Sequence, residues 1–498
     1  MLARLLSRSD LSAPGVASAA GSDQPVRNLN VLATLRNSVV RPGRLLGVFA
    51  SLVGSQLGGG VLGLVFWTLV ARALTPEQVG VGAALVAAMT LLSTFGVLGI
   101  GTLLLERFKV ASVTDRRALL STGFGIAGMG GALVAAGWLG LSALAHLSGV
   151  LGDLSPSSAL LLVGTTGIAA TCCAFDQAVI GMGVSSLQLR RNLIASIVRI
   201  AVFAGEIGLD VRSGQAVLVS WTVGLVGSLL ATPLRRHLPP RARVTVRQRW
   251  QLVRNHWPVA IGHHGLTLAV ASKSLMVPVV VASLMPATQT AYFNQANLLG
   301  GTLTALPYLL TLALFATAEN VEGFRRKAPQ TLIMGMVLAL SIILAGALFG
   351  RVLLLMFGTS YSQKSWPLLL IILASGPAMV IKDHFVVLRR LQGMRRQGAL
   401  TVALWSAAEL TGAVVGGLVG GITMLCLGWL AMSTACALIA LPVVIRAMRR
   451  QPTGDESHPG QPVKRWTSAF VKINQPTTSR SNTYPTITLR CDAGKARP

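Results

Sequence analysis

Residues 79–105 read "VGVGAALVAAMTLLSTFGVLGIGTLLL", and none of these twenty-seven side chains is charged. A helix of about 20 such residues is long enough to cross the roughly 30 Å hydrocarbon core of a bilayer. The glycine, alanine and leucine residues show no two-residue alternation, which favours a helix over a strand of a membrane barrel. The stretch therefore predicts a membrane-spanning helix.

Similar apolar runs recur along all but the two ends of the chain. Only 12% of the 498 residues are charged, about half the share that soluble domains carry. We predict an all-α polytopic membrane protein with about twelve transmembrane helices. The predicted spans are 46–70, 79–105, 119–142, 158–181, 192–209, 215–233, 257–283, 289–316, 330–349, 366–384, 399–418 and 422–445.

The basic residues between these spans predict the orientation. Alternate loops hold twenty Lys and Arg residues, whereas the intervening loops hold four. Cytoplasmic loops of membrane proteins carry such an excess. We therefore expect a multi-pass protein of the cell inner (plasma) membrane with both termini in the cytoplasm. This distribution also explains the net charge of +27 without a nucleic-acid partner.

The longest basic loop divides the predicted spans into two groups of six. We expect a cytoplasmic basic N-terminal segment, an N-terminal six-helix bundle, a basic cytoplasmic linker, a C-terminal six-helix bundle and a disordered basic cytoplasmic tail. The corresponding ranges are 1–44, 45–234, 235–256, 257–446 and 447–498.

The two groups of spans begin with similar corners. "LVARALTPEQVGVGAAL" (69–85) and "VVASLMPATQTAYFNQA" (280–296) each contain an apolar run, Leu-x-Pro, a short polar turn and a new helix. Pro76 and Pro286 occupy equivalent positions. Two equivalent halves with a binding site between them are common in transporters.

Four stretches resemble polysaccharide repeat-unit flippases, the Wzx-like branch of the MOP exporter superfamily. They are "ARALTPEQVGVGAALVAAMTLLSTFGVLGIGTLLLERF" (71–108), "MPATQTAYFNQANLLGGTLTALPYLL" (285–310), "LLLMFGTSYSQKSWPLLLIILA" (353–374) and "HFVVLRRLQGMRRQGAL" (384–400). The resemblance covers about residues 46–446. It implies two pseudo-symmetric six-helix bundles around a central cavity.

The resemblance also implies a function, the movement of a lipid-diphosphate-linked oligosaccharide from the cytoplasmic to the outer leaflet by alternating access. The implied partners are a polyprenyl-diphosphate-linked glycan, membrane lipids and polysaccharide polymerase or assembly proteins. Two alternatives stay open: a related exporter for lipid II or small molecules, and a scaffold of a polysaccharide-assembly complex.

The motifs argue against an enzyme. No nucleophile–base pair or phosphate-binding loop is recognisable, and the predicted outer loops are short and contain few acidic residues. We therefore expect no catalytic residues, cofactor or metal. Four cysteines lie in apolar runs and are interpreted as small buried side chains: Cys172, Cys173, Cys426 and Cys436.

Ionisable side chains inside spans mark the expected substrate site. Lys273 lies in the middle of "LTLAVASKSLMVPVVVASL" (266–284), and Arg199 lies within the fifth span. A charge facing lipid at that depth costs at least about 2.5–3.5 kcal/mol, so both side chains should face a watery cavity or a carboxylate. Such cations would bind a lipid diphosphate. The amides of Asn294 and Gln295 would hydrogen-bond sugar hydroxyls, although amides also join helices.

Two carboxylates form the second group of site residues. Glu206 lies seven residues after Arg199, on the same predicted helix face, and Glu409 lies in the eleventh span. Each is a coupling or ion-pair residue, because a buried carboxylate can carry a proton or neutralise a cation. Lys273 is an alternative ion-pair partner for either of them.

Overall fold

The computed structural model describes residues 42–108, 113–144, 149–152, 154–232, 251, 254, 257–318 and 320–449. This part of the chain is helical and contains no β-strand. Its helices are α1 (Pro42–Ala73), α2 (Pro76–Gly96), α3 (Ile100–Arg107), α4 (Val113–Leu144), α5 (Pro156–Gly181), α6 (Ser186–Gly208), α7 (Gly214–Ala231), α8 (Trp257–Leu284), α9 (Ala287–Ala318), α10 (Val321–Leu354), α11 (Thr359–Lys364), α12 (Trp366–Ala374), α13 (Gly376–Leu391) and α14 (Arg395–Arg449).

These helices form twelve long segments within the described residues, because two pairs of helices each form one broken segment and α14 is divided into two. Leu98 and Gly99 have positive φ angles between α2 and α3, and Gly421 has φ 70° inside α14. Glycine adopts that backbone region without a Cβ clash. The pairs α2–α3 and α12–α13 each make one segment, whereas α14 makes two. The predicted all-α fold with about twelve membrane helices is therefore confirmed.

Length and composition support a membrane environment. Eight helices among the described residues are long and apolar enough to cross a bilayer. By contrast, α6 has 23 residues and four charged side chains, a composition that is unusual for a membrane helix. We use "inner" for the ends that the loop charges predict to be cytoplasmic, and "outer" for the opposite ends.

Side-chain caps start several helices. Thr75 and Gln78 exchange hydrogen bonds at the start of α2, where Pro76 occupies the first turn. Ser155, Ser213 and Asn320 accept backbone hydrogen bonds at the starts of α5, α7 and α10. The first turn of a helix has backbone N–H groups without partners, and these caps satisfy some of them. The turns between spans are thus encoded locally.

The two similar corners lie against each other at the outer ends. A Cβ atom added to Gly80 in α2 would lie 1.7 Å from the carbonyl oxygen of Ala287 in α9. Only glycine permits such an approach between the backbones of the two helices. The segments that echo each other in sequence are therefore neighbours in the fold.

Two further outer contacts join the first six segments to the last six. Arg72, at the end of α1, donates hydrogen bonds to the carbonyl oxygens of Leu355 (2.6 Å) and Met356 (2.8 Å) after α10. In the equivalent arrangement, the backbone of Leu151 after α4 donates to the Ala282 oxygen near the end of α8. In each contact, the end of the first segment of one half meets the loop that follows the third segment of the other half.

Candidate substrate cavity

One face of α6 lines a partly open cavity of about 410 Å³ between α2, α5, α6 and α7. Arg191, Ala195 and Arg199 follow each other at four-residue intervals on that face, as helix geometry requires. The opposite face carries Leu189 and Ile197, whose exposed fractions are 63% and 59%. The helix therefore presents apolar side chains outward, where lipid would lie, and cations inward.

Arg199 lies near the middle of α6 between two aromatic rings. Its guanidinium carbon is 4.1 Å from the ring centre of Trp221 on α7 and 4.9 Å from that of Phe66 on α1. Its Nη2 donates to the Ser196 hydroxyl at 3.2 Å, and its Nε is buried without a hydrogen-bond partner. No carboxylate of the described residues forms an ion pair with it. The cation is held in place by ring faces and retains hydrogen-bonding capacity.

Arg191 forms an ion pair at the inner end of the same cavity. Its Nε and Nη2 donate to the two oxygens of Asp176 on α5, at 2.8 and 2.7 Å. Nη2 also donates to the side-chain oxygen of Asn192, whereas Nη1 is buried and has no partner. Only 4% of Arg191 is exposed. The sequence analysis had assigned no role to this pair.

Hydroxyl and thiol groups complete the lining. Thr90 and Ser93 reach the cavity from α2, and Cys172 and Cys173 reach it from α5. Cys172 is buried together with Cys426 and Cys436, as expected for small apolar side chains, whereas Cys173 is exposed. The prediction of a buried Cys173 was therefore wrong.

The two predicted carboxylates have different positions. Glu206 lies in the last turn of α6, close to its end at Gly208, and one of its oxygens is buried without a partner. It forms no ion pair with Arg199 among the described side chains. Glu409 is 4% exposed and pairs with Lys382 on α13. The sequence analysis had considered Lys273 as its partner and had not identified Lys382.

The remaining predicted residues lie on α8 and α9. Lys273 belongs to α8, but its side chain lies outside the described part of the structure. Gln295 is fully buried, and neither amide atom has a hydrogen-bond partner in the described structure. Asn294 is partly buried and has an unpartnered Nδ2. Neither amide lines the cavity of α6.

A second cavity, of about 420 Å³, lies among α8, α9, α12, α13 and α14. Its lining is mainly apolar and aromatic, with Asp383 and Arg390 as its charged residues and Asn297 among its polar ones. Next to Asp383 on α13, Lys382 pairs with Glu409 and donates to the Ser433 hydroxyl at 2.6 Å. The sequence feature from which this polar centre could have been identified is the run of three polar residues Lys382–His384 inside "LASGPAMVIKDHFVVL".

Comparisons with solved structures identify the fold. An inward-facing multidrug resistance MATE family transporter of the MOP superfamily has a TM-score of 0.56 at 11% identity, over 78% of this chain and 98% of that one. The lipid II flippase MurJ, in an inward closed conformation, gives 0.59 at 12%, over 80% and 87%. A MOP superfamily transporter from Pyrococcus furiosus gives 0.52 at 13%, over 81% and 96%. No protein-family profile and no curated protein sequence matches the chain.

These likenesses establish that the chain has the twelve-helix fold of MOP superfamily transporters. The structural neighbours are transporters and flippases, and identities of 11–13% carry the similarity of fold alone. Fold does not determine the transported molecule, which has to be argued from the cavities.

Proposed function

We propose that this chain is a flippase that moves a lipid-diphosphate-linked oligosaccharide from the cytoplasmic to the outer leaflet for cell-surface polysaccharide export. The proposal includes the orientation that the loop charges predict. The protein would lie in the inner membrane of the cell, with both of its termini in the cytoplasm. The Wzx-like sequence resemblance supports this substrate class, and the cavity chemistry supports it independently.

The observation that carries the proposal is Arg199. A cation in the middle of a membrane helix is costly unless it is paired, solvated or functional. Here the stacking on Trp221 and Phe66 holds the guanidinium but leaves its charge without an acidic partner among the described residues. Arginine binds phosphate oxygens with two parallel hydrogen bonds. A diphosphate headgroup supplies the missing anion.

The rest of the substrate fits the surrounding chemistry. Thr90, Ser93 and Asn192 provide hydrogen-bonding groups along the same cavity, and sugar hydroxyls can bind to them. The prenyl chain would remain among the lipids, where burial in the protein is unnecessary. One structural neighbour, MurJ, is named a lipid II flippase, so this fold accommodates a lipid-linked substrate in that protein.

Transport would follow from exposing this cavity first to the inner side and then to the outer side. The outer contacts at Gly80 and Arg72 hold the outer ends of the two halves together. Headgroup binding from the inner side is therefore compatible with this conformation. Separation of those contacts would expose Arg199 to the outer side, and no chemical step at the substrate is required.

The test is outward movement of a fluorescent prenyl-diphosphate oligosaccharide in liposomes that contain the purified full chain. Arg199→Gln should lower the initial rate about 10- to 100-fold, which corresponds to the loss of one charge-assisted interaction of about 1.5–3 kcal/mol. The membrane insertion of the variant should be unchanged. A parental rate for Arg199→Gln would refute the proposed site.

Arg351 offers a matched control outside the cavity. Its guanidinium carbon is 4.3 Å from the ring centre of Trp366, an arrangement similar to that of Arg199 over Trp221. Arg351→Gln removes a stacked arginine without touching the cavity lining. Its transport rate should stay within about twofold of the parental rate, since an exposed cation–π contact contributes only about 0.5–1 kcal/mol of local stability.

An exporter of amphipathic small molecules is the second candidate. The second, mainly apolar cavity favours it, because aromatic walls with a few polar groups are typical of small-molecule sites. Efflux of a fluorescent lipophilic cation from the same liposomes distinguishes the two functions. Efflux without glycolipid movement would replace our proposal with this one.

A further inference from the structure

We infer that Arg191 is a second, inner station for the phosphate headgroup, and that Asp176 is an internal competitor that the headgroup must displace there. This inference rests on the proposed function, because it concerns the route of the same anion to Arg199. It assigns a role in substrate release to a carboxylate that would otherwise count as a structural ion-pair partner.

Helix geometry places the two arginines along one route. Arg191 and Arg199 are eight residues apart on the same face of α6, so their Cα atoms are separated by about 12 Å along the helix axis. Both line one cavity. Arg191 lies near the beginning of α6, at the inner end, and Arg199 lies near its middle. A headgroup that enters from the inner side reaches Arg191 first.

The two cations differ in what already binds them. Asp176 engages Arg191 through two hydrogen bonds, the same two-pronged geometry with which arginine binds a phosphate. Within the described part of the chain, Arg199 contacts only a neutral hydroxyl and two ring faces. The anion must therefore exchange with a carboxylate at the inner station, whereas no carboxylate of the described residues opposes it at the deeper one.

The surroundings of Arg191 permit this exchange. Its Nη1 is buried without a hydrogen-bond partner, so it can donate to the anion once the side chain shifts toward the cavity. Cys173 and Asn192, beside the pair, are exposed within the cavity, so the pair borders accessible space. Because Asp176 returns when the anion leaves, Arg191 is never left unpaired in a low-dielectric environment, where an unpaired charge is strongly destabilising.

Two consequences follow for transport. The competitor weakens binding at the inner station, so the headgroup does not remain there and moves on to Arg199. Because Asp176 competes for Arg191, the inner station can bind only anions that bind arginine at least as well as a carboxylate does. A doubly charged diphosphate meets that requirement better than a neutral sugar or a single carboxylate.

The first experiment measures the binding of inorganic pyrophosphate to the full chain in detergent by titration calorimetry. Asp176→Asn removes the competing charge and should tighten the dissociation constant about tenfold. Asp210→Asn is the matched control, because Asp210 forms a 2.9 Å ion pair with Arg212 at the outer ends of α6 and α7. It should leave the constant unchanged.

A short-chain prenyl diphosphate in the same titration identifies the source of the phosphate. A tenfold gain in affinity for the prenyl diphosphate as well supports an inner station that binds the headgroup of a lipid substrate. A gain for inorganic pyrophosphate alone would overturn that assignment, and an unchanged constant for both probes would overturn the competitor role.

A second measurement does not depend on whether Asp176→Asn folds. In Arg199→Gln, which retains only the inner station, pyrophosphate should still slow the labelling of Cys173 by a polar thiol reagent, as read by peptide mapping. Absence of protection would overturn the inner station. The failure of this inference can be distinguished from the failure of the proposed function. The proposed function fails if Arg199→Gln transports at the parental rate, whereas this inference fails if pyrophosphate does not protect Cys173.

Discussion

The cavity of α6 and the polar centre of α13 and α14 both contain a cation inside the membrane region, but they use it differently. Arg199 is stacked between Trp221 and Phe66 with no acidic partner among the described residues. Lys382 is 4% exposed and is bound to Glu409 and Ser433. A held but uncompensated charge can bind a ligand, whereas a compensated charge that lines neither cavity, such as Lys382, mainly joins helices. The first site is therefore suited to substrate, and the second to structure.

The largest expected effect comes from breaking the compensated site. Glu409→Ala leaves the Lys382 ammonium without its carboxylate in a buried position, and the loss of one partner of a buried pair costs about 3–5 kcal/mol. Thermal unfolding in detergent should show a clearly lowered midpoint. The double variant Lys382→Met with Glu409→Gln should recover most of the loss, because both charges are then absent.

Equal stability of Glu409→Ala and the parental protein would contradict the structural role of the pair. A stable Glu409→Ala protein that no longer transports would place Glu409 in coupling, the other role that the sequence analysis left open for it. The transport assay of the proposed function therefore accompanies the unfolding measurement.

The second prediction converts the uncompensated site into the compensated kind. Ser196 already accepts a hydrogen bond from Arg199 at 3.2 Å, three residues away on the same helix. Ser196→Glu supplies a carboxylate at that position. It should lower the transport rate about 10-fold, which corresponds to a loss of about 1.4 kcal/mol in the binding free energy of the substrate. Thermal stability should be retained, because the new pair neutralises a buried cation.

Ser196→Gln has nearly the same shape without the charge and is the control for that variant. It should transport within about threefold of the parental rate. If both variants lose transport equally, side-chain volume rather than charge limits the site, and the comparison between the two cations fails.

The smallest expected effect concerns Lys273, which tests whether the cationic site extends to α8. Lys273→Met should lower transport several-fold with little loss of stability, whereas Lys273→Arg should retain transport, because the charge remains and arginine also binds phosphate. Transport in liposomes and unfolding in detergent are measured together. An unstable Lys273→Met protein that is rescued by Glu206→Gln would assign Lys273 to an ion pair instead.

The sequence predicted the helices well because their determinants are local. Runs of apolar residues, the Thr75–Gln78 and Ser155 caps, and the glycine and proline residues at corners specify where a membrane helix begins and ends. The repeated corner also indicated an internal relationship, and the contact of Gly80 with Ala287 brings those two corners together. The interior break at Leu98 and Gly99 was not predicted, because a positive φ at a leucine has no local sequence signature.

The site was predictable in part. Arg199 could be found from sequence, since a lone arginine within a membrane helix requires an explanation. Its ring partners and the Arg191–Asp176 pair could not be found, because they join residues of different helices. The amides of α9 illustrate the same limit: Asn297 lines the second cavity, whereas Asn294 and Gln295, in the same stretch, line neither cavity. Consecutive side chains of a helix point in directions about 100° apart, and only the packing of the helix decides which direction faces a cavity.

By itself the sequence determined a polytopic all-α membrane protein, the approximate positions of twelve helical segments and the presence of ionisable groups inside them. These properties depend on hydrophobicity summed over windows of about 20 residues, to which each residue contributes independently. Only the tertiary structure decided that Arg199 is stacked on aromatic rings, that Asp176 occupies Arg191 and that Lys382 neutralises Glu409. The availability of a charge depends on the side chains that surround it, and in this fold those side chains come from other helices.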